Sequence, residues 1–130
     1  MIEDTSFIVD VLRGDDAAIE MLEVVERSNR PERVASITVL ELFEGLAQSV
    51  RPGEELTLIQ EVLASKHVVP GDEAVMRKAG TISGELTGDG VPIDREDCVV
   101  AATALLRDEP VITRNVSHFE RVDGVEVLAY

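Results

Sequence analysis

Four residues spread along the chain have types suited to phosphoryl chemistry: Asp4, Glu41, Asp97 and Asn115. Asp4 ends a short apolar run at the N-terminus, and Glu41 lies one turn into a helical pattern. Asp97 falls in the first turn of a later helical pattern, and Asn115 follows Val111-Ile112-Thr113. Carboxylates brought together repel one another and stay ionised together only around a cation. Ligands that offer oxygen alone favour Mg²⁺ or Mn²⁺, ions that keep several waters and also bind substrate phosphate. Such an ion lowers the pKa of a bound water and polarises a phosphoryl oxygen. The chemistry in view is metal-assisted attack on a phosphate ester.

Each of these residues also has a plainer role. Asp4 could cap a helix starting at Thr5 or Ser6. Glu41 shares a face with Glu44, Gly45 and Gln48, which reads as a solvated helix surface. Asp94-Arg95-Glu96-Asp97 has the spacing of a capping box, with Asp94 as N-cap and Asp97 at the third helical position. Against that, Asp97 directly precedes an uncharged stretch, Cys98 to Leu106, whose all-round apolar character belongs at the centre of a fold. Asn115 alone suits a turn or helix cap. His118 suits a loop, and His67, inside an apolar strand pattern, a structural place. Cys98, the only cysteine, excludes an internal disulfide and reads as a small core residue.

Positioning these side chains is the task of the elements between them. Periodicity predicts strands at Met1–Asp4, Arg33–Ala35, His67–Val69, Val111–Thr113 and Val125–Leu128. Helices are predicted at 6–13, 16–28, 37–49, 52–65, 72–86 and 95–107. The third of them should bury Val39, Leu42, Phe43 and Leu46 as one stripe. Short strands alternating with helices give an α/β domain: a central, mostly parallel sheet of four to five strands, flanked by helices, over residues 1–130. Ligands of open parallel sheets bind outside the carboxyl ends of the strands. That rule points to Asp4, Ser36 and Thr113.

The length of 130 residues suits one domain, and 45% hydrophobic residues argue against disorder. No apolar run approaches the roughly 20 residues of a membrane span, and the N-terminus lacks a signal pattern, so a cytoplasmic location without membrane attachment is expected. Acidic residues number 26 against 12 basic ones, for a net charge of −14. A field of that sign argues against broad, non-specific binding of nucleic acid. Ten of the basic residues are Arg and two are Lys, Lys66 and Lys78. Abundant carboxylate with scarce lysine fits a surface adapted to high salt, where screening acts over a few ångströms.

Four segments in order, Asp4-Thr5-Ser6, Thr38 to Leu46, Asp97 to Leu105 and Val111 to Phe119, resemble the successive motifs of PIN domains. More narrowly, they resemble the VapC-type toxins of toxin–antitoxin modules. The likeness implies a PIN-like fold and a Mg²⁺-dependent endoribonuclease that leaves a 5′-phosphate and a 3′-hydroxyl. Asp4, Glu41 and Asp97 match the family's most regular acidic ligands, and Asp94 matches a less regular one. The fourth acidic position is Asn115 here, with His118 where many relatives carry Asp or Glu. One firmly bound ion follows, with a second recruited, if at all, by substrate. Thr5, Ser6, Thr113 and Arg114 are accessory candidates that would orient water or phosphate. An RNA substrate, a VapB-like antitoxin and a homodimer are the partners the likeness implies.

Three other classes stand beside this reading. A degenerate PIN domain would bind RNA or protein without cutting. A phosphate-accepting receiver-like protein fits poorly, because it needs two acids at the first strand and an acceptor Asp after the third. Asp72, after the third strand, reads as a helix cap. A phosphatase with two first-strand aspartates is disfavoured by Ser6.

Overall fold

The computed structural model describes residues 1–130. Its elements run β1 (Ile2–Glu3), α1 (Thr5–Leu12), α2 (Asp16–Arg27), β2 (Arg33–Ala35), α3 (Ser36–Leu46) and α4 (Pro52–Ala64). They continue with β3 (His67–Val69), α5 (Glu73–Gly88), α6 (Arg95–Arg107), β4 (Val111–Ile112), α7 (Val116–Phe119) and β5 (Val127–Leu128). The five strands form one parallel sheet in the order β3-β2-β1-β4-β5. All their carboxyl ends therefore lie at one edge, and β1 stands at the centre.

Strand alternation sends neighbouring side chains to opposite faces. Ile2, Ala35 and Val111 face α5 and α6, in a core with Val75, Ala79, Ile82 and Phe119. Met1, Val34 and Ile112 face the other way, onto α1–α4 through Phe7, Ile8, Leu42 and Ile59. Helix α6 is buried without a break from Asp97 to Ala104, as its lack of charge predicts; Leu106, at its far end, is exposed. Burying one such helix against the sheet fixes where its first turn, and Asp97, must sit. No helix is long and apolar enough to cross a membrane.

The structure departs from the sequence reading in four places. Helix α1 begins at Thr5, one residue before the expected start, and Asp4 takes the cap role that was one of its two readings. Helix α3 ends three residues earlier than expected, and its inward face is Thr38 and Leu42 while Phe43 is exposed. A threonine on the inside is legible only once its hydrogen bond is known. His67 lies exposed on the edge strand β3, with no structural burial. The short helix α7 has too few residues to show a period.

Beside the apolar layers lies one buried charged group. Glu3, 1% exposed, faces Lys66, itself 5% exposed by side chain, with Nζ 3.1 Å from Oε1. Lys66 also donates to Glu32 Oε1 at 2.9 Å. Burial pushes the Glu3 carboxyl up to about 7, against the pull of the Lys66 ammonium. Folded Glu3 thus holds its proton more tightly than unfolded Glu3. Its contribution to stability is complete at low pH and is lost as pH rises through about 7.

Lys66→Met leaves the carboxylate buried without a counter-charge, an arrangement that costs about 3 kcal/mol. The expected result is a large drop in the urea midpoint at pH 8 and a much smaller one at pH 5, where Glu3 is protonated in either protein. An equal drop at both pH values would refute the assignment.

Candidate active site

Asp4 follows β1 directly and is 2% exposed. Its backbone N–H donates to Ile112 O at 2.9 Å, which locks it to β4. The extended backbone at Asp4 turns the side chain back over the start of α1. Oδ1 accepts from the Thr5 N–H at 2.9 Å. Oδ2 accepts from Thr113 Oγ1 at 2.7 Å and from Ser6 Oγ at 3.0 Å. Burial raises its pKa, and these three donors pull the other way. The cap role and the site role coincide in one residue.

Thr113 follows β4 and is fully buried. Its Oγ1 also accepts from the Asn115 N–H at 2.9 Å, so one hydroxyl fixes both Asp4 and the turn into α7. Ser6 Oγ accepts from the Arg114 N–H at 3.1 Å. Ser36, the third strand-end residue, goes elsewhere: its Oγ accepts from the Gly71 N–H at 2.9 Å and closes the loop after β3. A Cβ on residue 71 would stand 2.9 Å from that oxygen, so a larger residue there would have to displace the Ser36 hydroxyl.

Glu41 is half-buried on the second turn of α3 and turned toward the site rather than into solvent. Thr5 Oγ1 donates to its Oε1 at 2.8 Å and lies 3.1 Å from Thr38 Oγ1. Burial, and then the negative charges of Asp4, Asp97 and Glu96, push its carboxyl up to about 7. Thr38 and Glu96 were not among the expected residues. Thr38 stands one helical turn before Glu41, and Glu96 sits inside the acidic run 94–97; that placement was their only signal.

Asp97, in the first turn of α6, is 8% exposed. Its Oδ2 pairs with His118 Nδ1 at 2.8 Å. Burial raises its pKa; the His118 bond lowers it, and the nearby charges of Asp4 and Asp94 raise it. The expected capping box is absent, because Asp94 occupies the N-cap with no side-chain bond and Asp97 turns to His118 instead. His118 is therefore a satisfied histidine, and the group that satisfies it is a site carboxylate. Asn115 is the half-buried N-cap of α7, and its side-chain amide makes no cap bond. Arg114 is drawn aside: its Nη1 pairs with Asp10 Oδ1 at 2.6 Å, and Tyr130 donates to Asp10 Oδ2 at 2.7 Å. That pair ties the turn after β4 to α1, and the Tyr130 bond ties α1 to the C-terminal residue. Cys98 is buried, and burial pushes its thiol pKa up, which makes it inert.

Asp4, Glu41 and Asp97 thus share one mouth and feel one another's charge. They do not close into a ready-made ion cage, since no three carboxylate, imidazole or thiol groups gather at one point. The donor chemistry nevertheless suits a hard divalent cation. The groups are oxygen-only, protonated more readily than usual, and in want of positive charge. Mg²⁺ is commonly held by one or two carboxylates while keeping its waters.

The PIN domain model matches residues 1–125, and the chain belongs to the PIN domain family. It is 30% identical to a tRNA(fMet)-specific endonuclease VapC of Salmonella typhimurium over 94 residues, 72% of this chain and 71% of the relative. It is 30% identical to ribonuclease VapC19 of Mycobacterium tuberculosis over 118 residues, 89% of each. Among solved structures, a DNA-bound VapBC complex from Salmonella typhimurium contains a chain that superposes with a TM-score of 0.85. That chain is 26% identical, with 98% of this chain and 96% of that one covered.

Replacing Thr113 by Val removes the 2.7 Å bond to Asp4 and the acceptor of the Asn115 N–H. The expected loss is about 1–2 kcal/mol by urea unfolding. A double-mutant cycle with Asp4→Asn should show clear coupling between the two positions; additive effects would mean that the bond does not hold the carboxylate.

Proposed function

We propose that this PIN domain is a divalent-metal-dependent endoribonuclease, the toxin of a toxin–antitoxin pair. The single observation that carries the reading is the mouth itself: Asp4, Glu41 and Asp97, short of positive charge, at the carboxyl edge of a parallel sheet. The ribonuclease and endonuclease names of relatives covering most of the chain support it. The non-cleaving alternative is disfavoured because all three acids are kept in one mouth, at the cost of burial and mutual repulsion.

Asp4 and Asp97 would hold Mg²⁺, or Mn²⁺ in its place, with Glu41 joining directly or through a water. When bound, the ion supplies a Lewis acid for the phosphoryl oxygens and acidifies an adjacent water. The chain's own residues do the rest. Thr113 and Ser6 keep Asp4 oriented, Thr5 aims Glu41, and His118 fixes the rotation of Asp97. The Asn115 amide oxygen is free to accept a hydrogen bond from an attacking water. In-line attack forms the new P–O bond as the P–O3′ bond breaks, giving a 5′-phosphate and a 3′-hydroxyl that takes up the proton. Asp94 adds negative field at the rim without a bond of its own.

A partner fits the same chemistry. An antitoxin side chain carrying a cationic head would satisfy the acidic mouth in place of the ion. The structural neighbour's place in a VapBC complex supports an antitoxin of that type. Leu40, Phe43, Val50 and Leu58 stand exposed on and beside α3 and α4, and they offer apolar area for an antitoxin or a second copy of the chain. With RNA as substrate, the chain works in the cytoplasm. The net charge of −14 with two lysines supports a salt-adapted surface.

Asp4→Asn and Asp97→Asn should each abolish Mg²⁺-dependent cleavage of a sensitive RNA while the circular dichroism spectrum stays unchanged; wild-type cutting by D4N would defeat the site assignment. Glu41 is protonated below about 7 in the cation-free chain, so ion uptake must displace that proton. Mg²⁺ affinity by calorimetry should rise from pH 6 to pH 8, with proton release that disappears in Glu41→Gln. Stability and cleavage should also increase when KCl is raised to molar concentration; an optimum in dilute buffer would count against salt adaptation.

A further inference from the structure

Asp10 lies one turn after Ser6 on α1 and is 5% exposed, yet no step of the chemistry above uses it. A carboxylate taken out of water is costly unless its oxygens find donors. Both find side chains: Oδ1 accepts from Arg114 Nη1 at 2.6 Å, and Oδ2 accepts from Tyr130 Oη at 2.7 Å. Residues four apart share a face of a helix, so Ser6 and Asp10 look the same way. Together they hold residue 114 twice. Ser6 Oγ takes its backbone N–H at 3.1 Å, and Asp10 takes its guanidinium. The Arg114 side chain is 55% exposed, so its own burial does not fix it; the buried carboxylate does.

Residue 114 stands between two parts of the mouth. Before it, Thr113 donates to Asp4; after it, Asn115 opens α7. Helix α7 is a single turn of four residues and carries His118, the partner of Asp97. One turn of helix has no stability of its own, so its place is set by what pins its ends. Phe119, fully buried, pins the far end. The near end is pinned through the 113–115 turn, by Thr113 Oγ1 on the Asn115 N–H and by α1 on Arg114. We propose that Asp10 is a positioning residue for RNA cleavage. By holding Arg114 it sets the 113–115 turn, and with it the Asn115 amide and the start of the helix that carries His118. Asp10 itself touches neither substrate nor ion. Its kinetic consequence rests on the endoribonuclease reading; its structural consequence does not. A slackened turn misplaces groups around the attacking water, which costs rate rather than binding.

The test compares Asp10→Asn with the wild-type chain and with Tyr130→Phe, at saturating Mg²⁺ and well below each unfolding temperature. Asp10→Asn keeps the shape and removes the charge from the bond to Arg114. Tyr130→Phe removes the other bond to Asp10 and leaves that pair intact. D10N should lower kcat about tenfold, with KM for RNA changed less than about twofold. Y130F should leave both constants as they are, whatever it costs in stability. Arg114→Gln should reproduce the loss, and the double variant should be no slower than R114Q alone, because both changes break one link. If D10N does not fold, R114Q, altered at a largely exposed side chain, decides the kinetic comparison. A second readout needs no activity: NMR signals of the Asn115 side-chain amide and the His118 ring should move in D10N and stay in place in Y130F. A wild-type chain that cuts no RNA defeats the endoribonuclease reading, and the NMR comparison then decides the role of Asp10. Unchanged kcat in D10N, a raised KM with kcat intact, an equal loss in Y130F, or unmoved Asn115 and His118 signals would overturn the proposal.

Discussion

The mouth of this protein depends on one carboxylate that has been taken out of water. Asp4 sits at the end of the central strand, and its burial raises its pKa by disfavouring the charged form. Three donors from two distant stretches of chain offset that penalty: the Thr5 N–H, Ser6 Oγ and Thr113 Oγ1. Those donors exist only if α1 starts at Thr5 and if β4 lies beside β1. The sheet order and the first helix boundary are thus tied to the satisfaction of a single side chain.

The remaining acids follow from that anchor by contrast. Glu41 and Asp97 each have one protein hydrogen-bond partner, Thr5 and His118 respectively. Each leaves its second oxygen without a protein side-chain partner. They are less fixed than Asp4, and they are the groups whose ionisation the neighbouring charges disturb most openly. A mouth built this way is rigid at its root and adaptable at its rim. That suits an ion that arrives with its own water and a substrate that brings its own charge.

Much of the fold could be read from residue spacing, because burial of α6 and alternation in the strands leave periodic traces. The carboxylates at strand ends were legible for the same reason, since parallel strands place their ends together. Three things left no trace. Thr38 looks polar and is buried, because its hydroxyl is spent on Thr5. Asp94 and Asp97 have the spacing of a capping box, and only the position of His118, 21 residues away, breaks it. Arg114 stands beside the site in sequence, but the buried Asp10 claims its guanidinium. In each case a long-range polar contact overrides a local pattern, and local patterns carry no information about such contacts.

The parallel order of the sheet also has a consequence in time. Parallel strands cannot pair through hairpins, and the bond from Thr113 to Asp4 joins residues 109 apart. Long-range pairings of this kind form late and slowly. A chain emerging from the ribosome exposes Asp4 long before the hydroxyl that orients it, 109 residues further on, has been made. The mouth is therefore among the last features to be assembled. An unfinished chain lacks the bond from Thr113 that holds Asp4 in its place at the mouth.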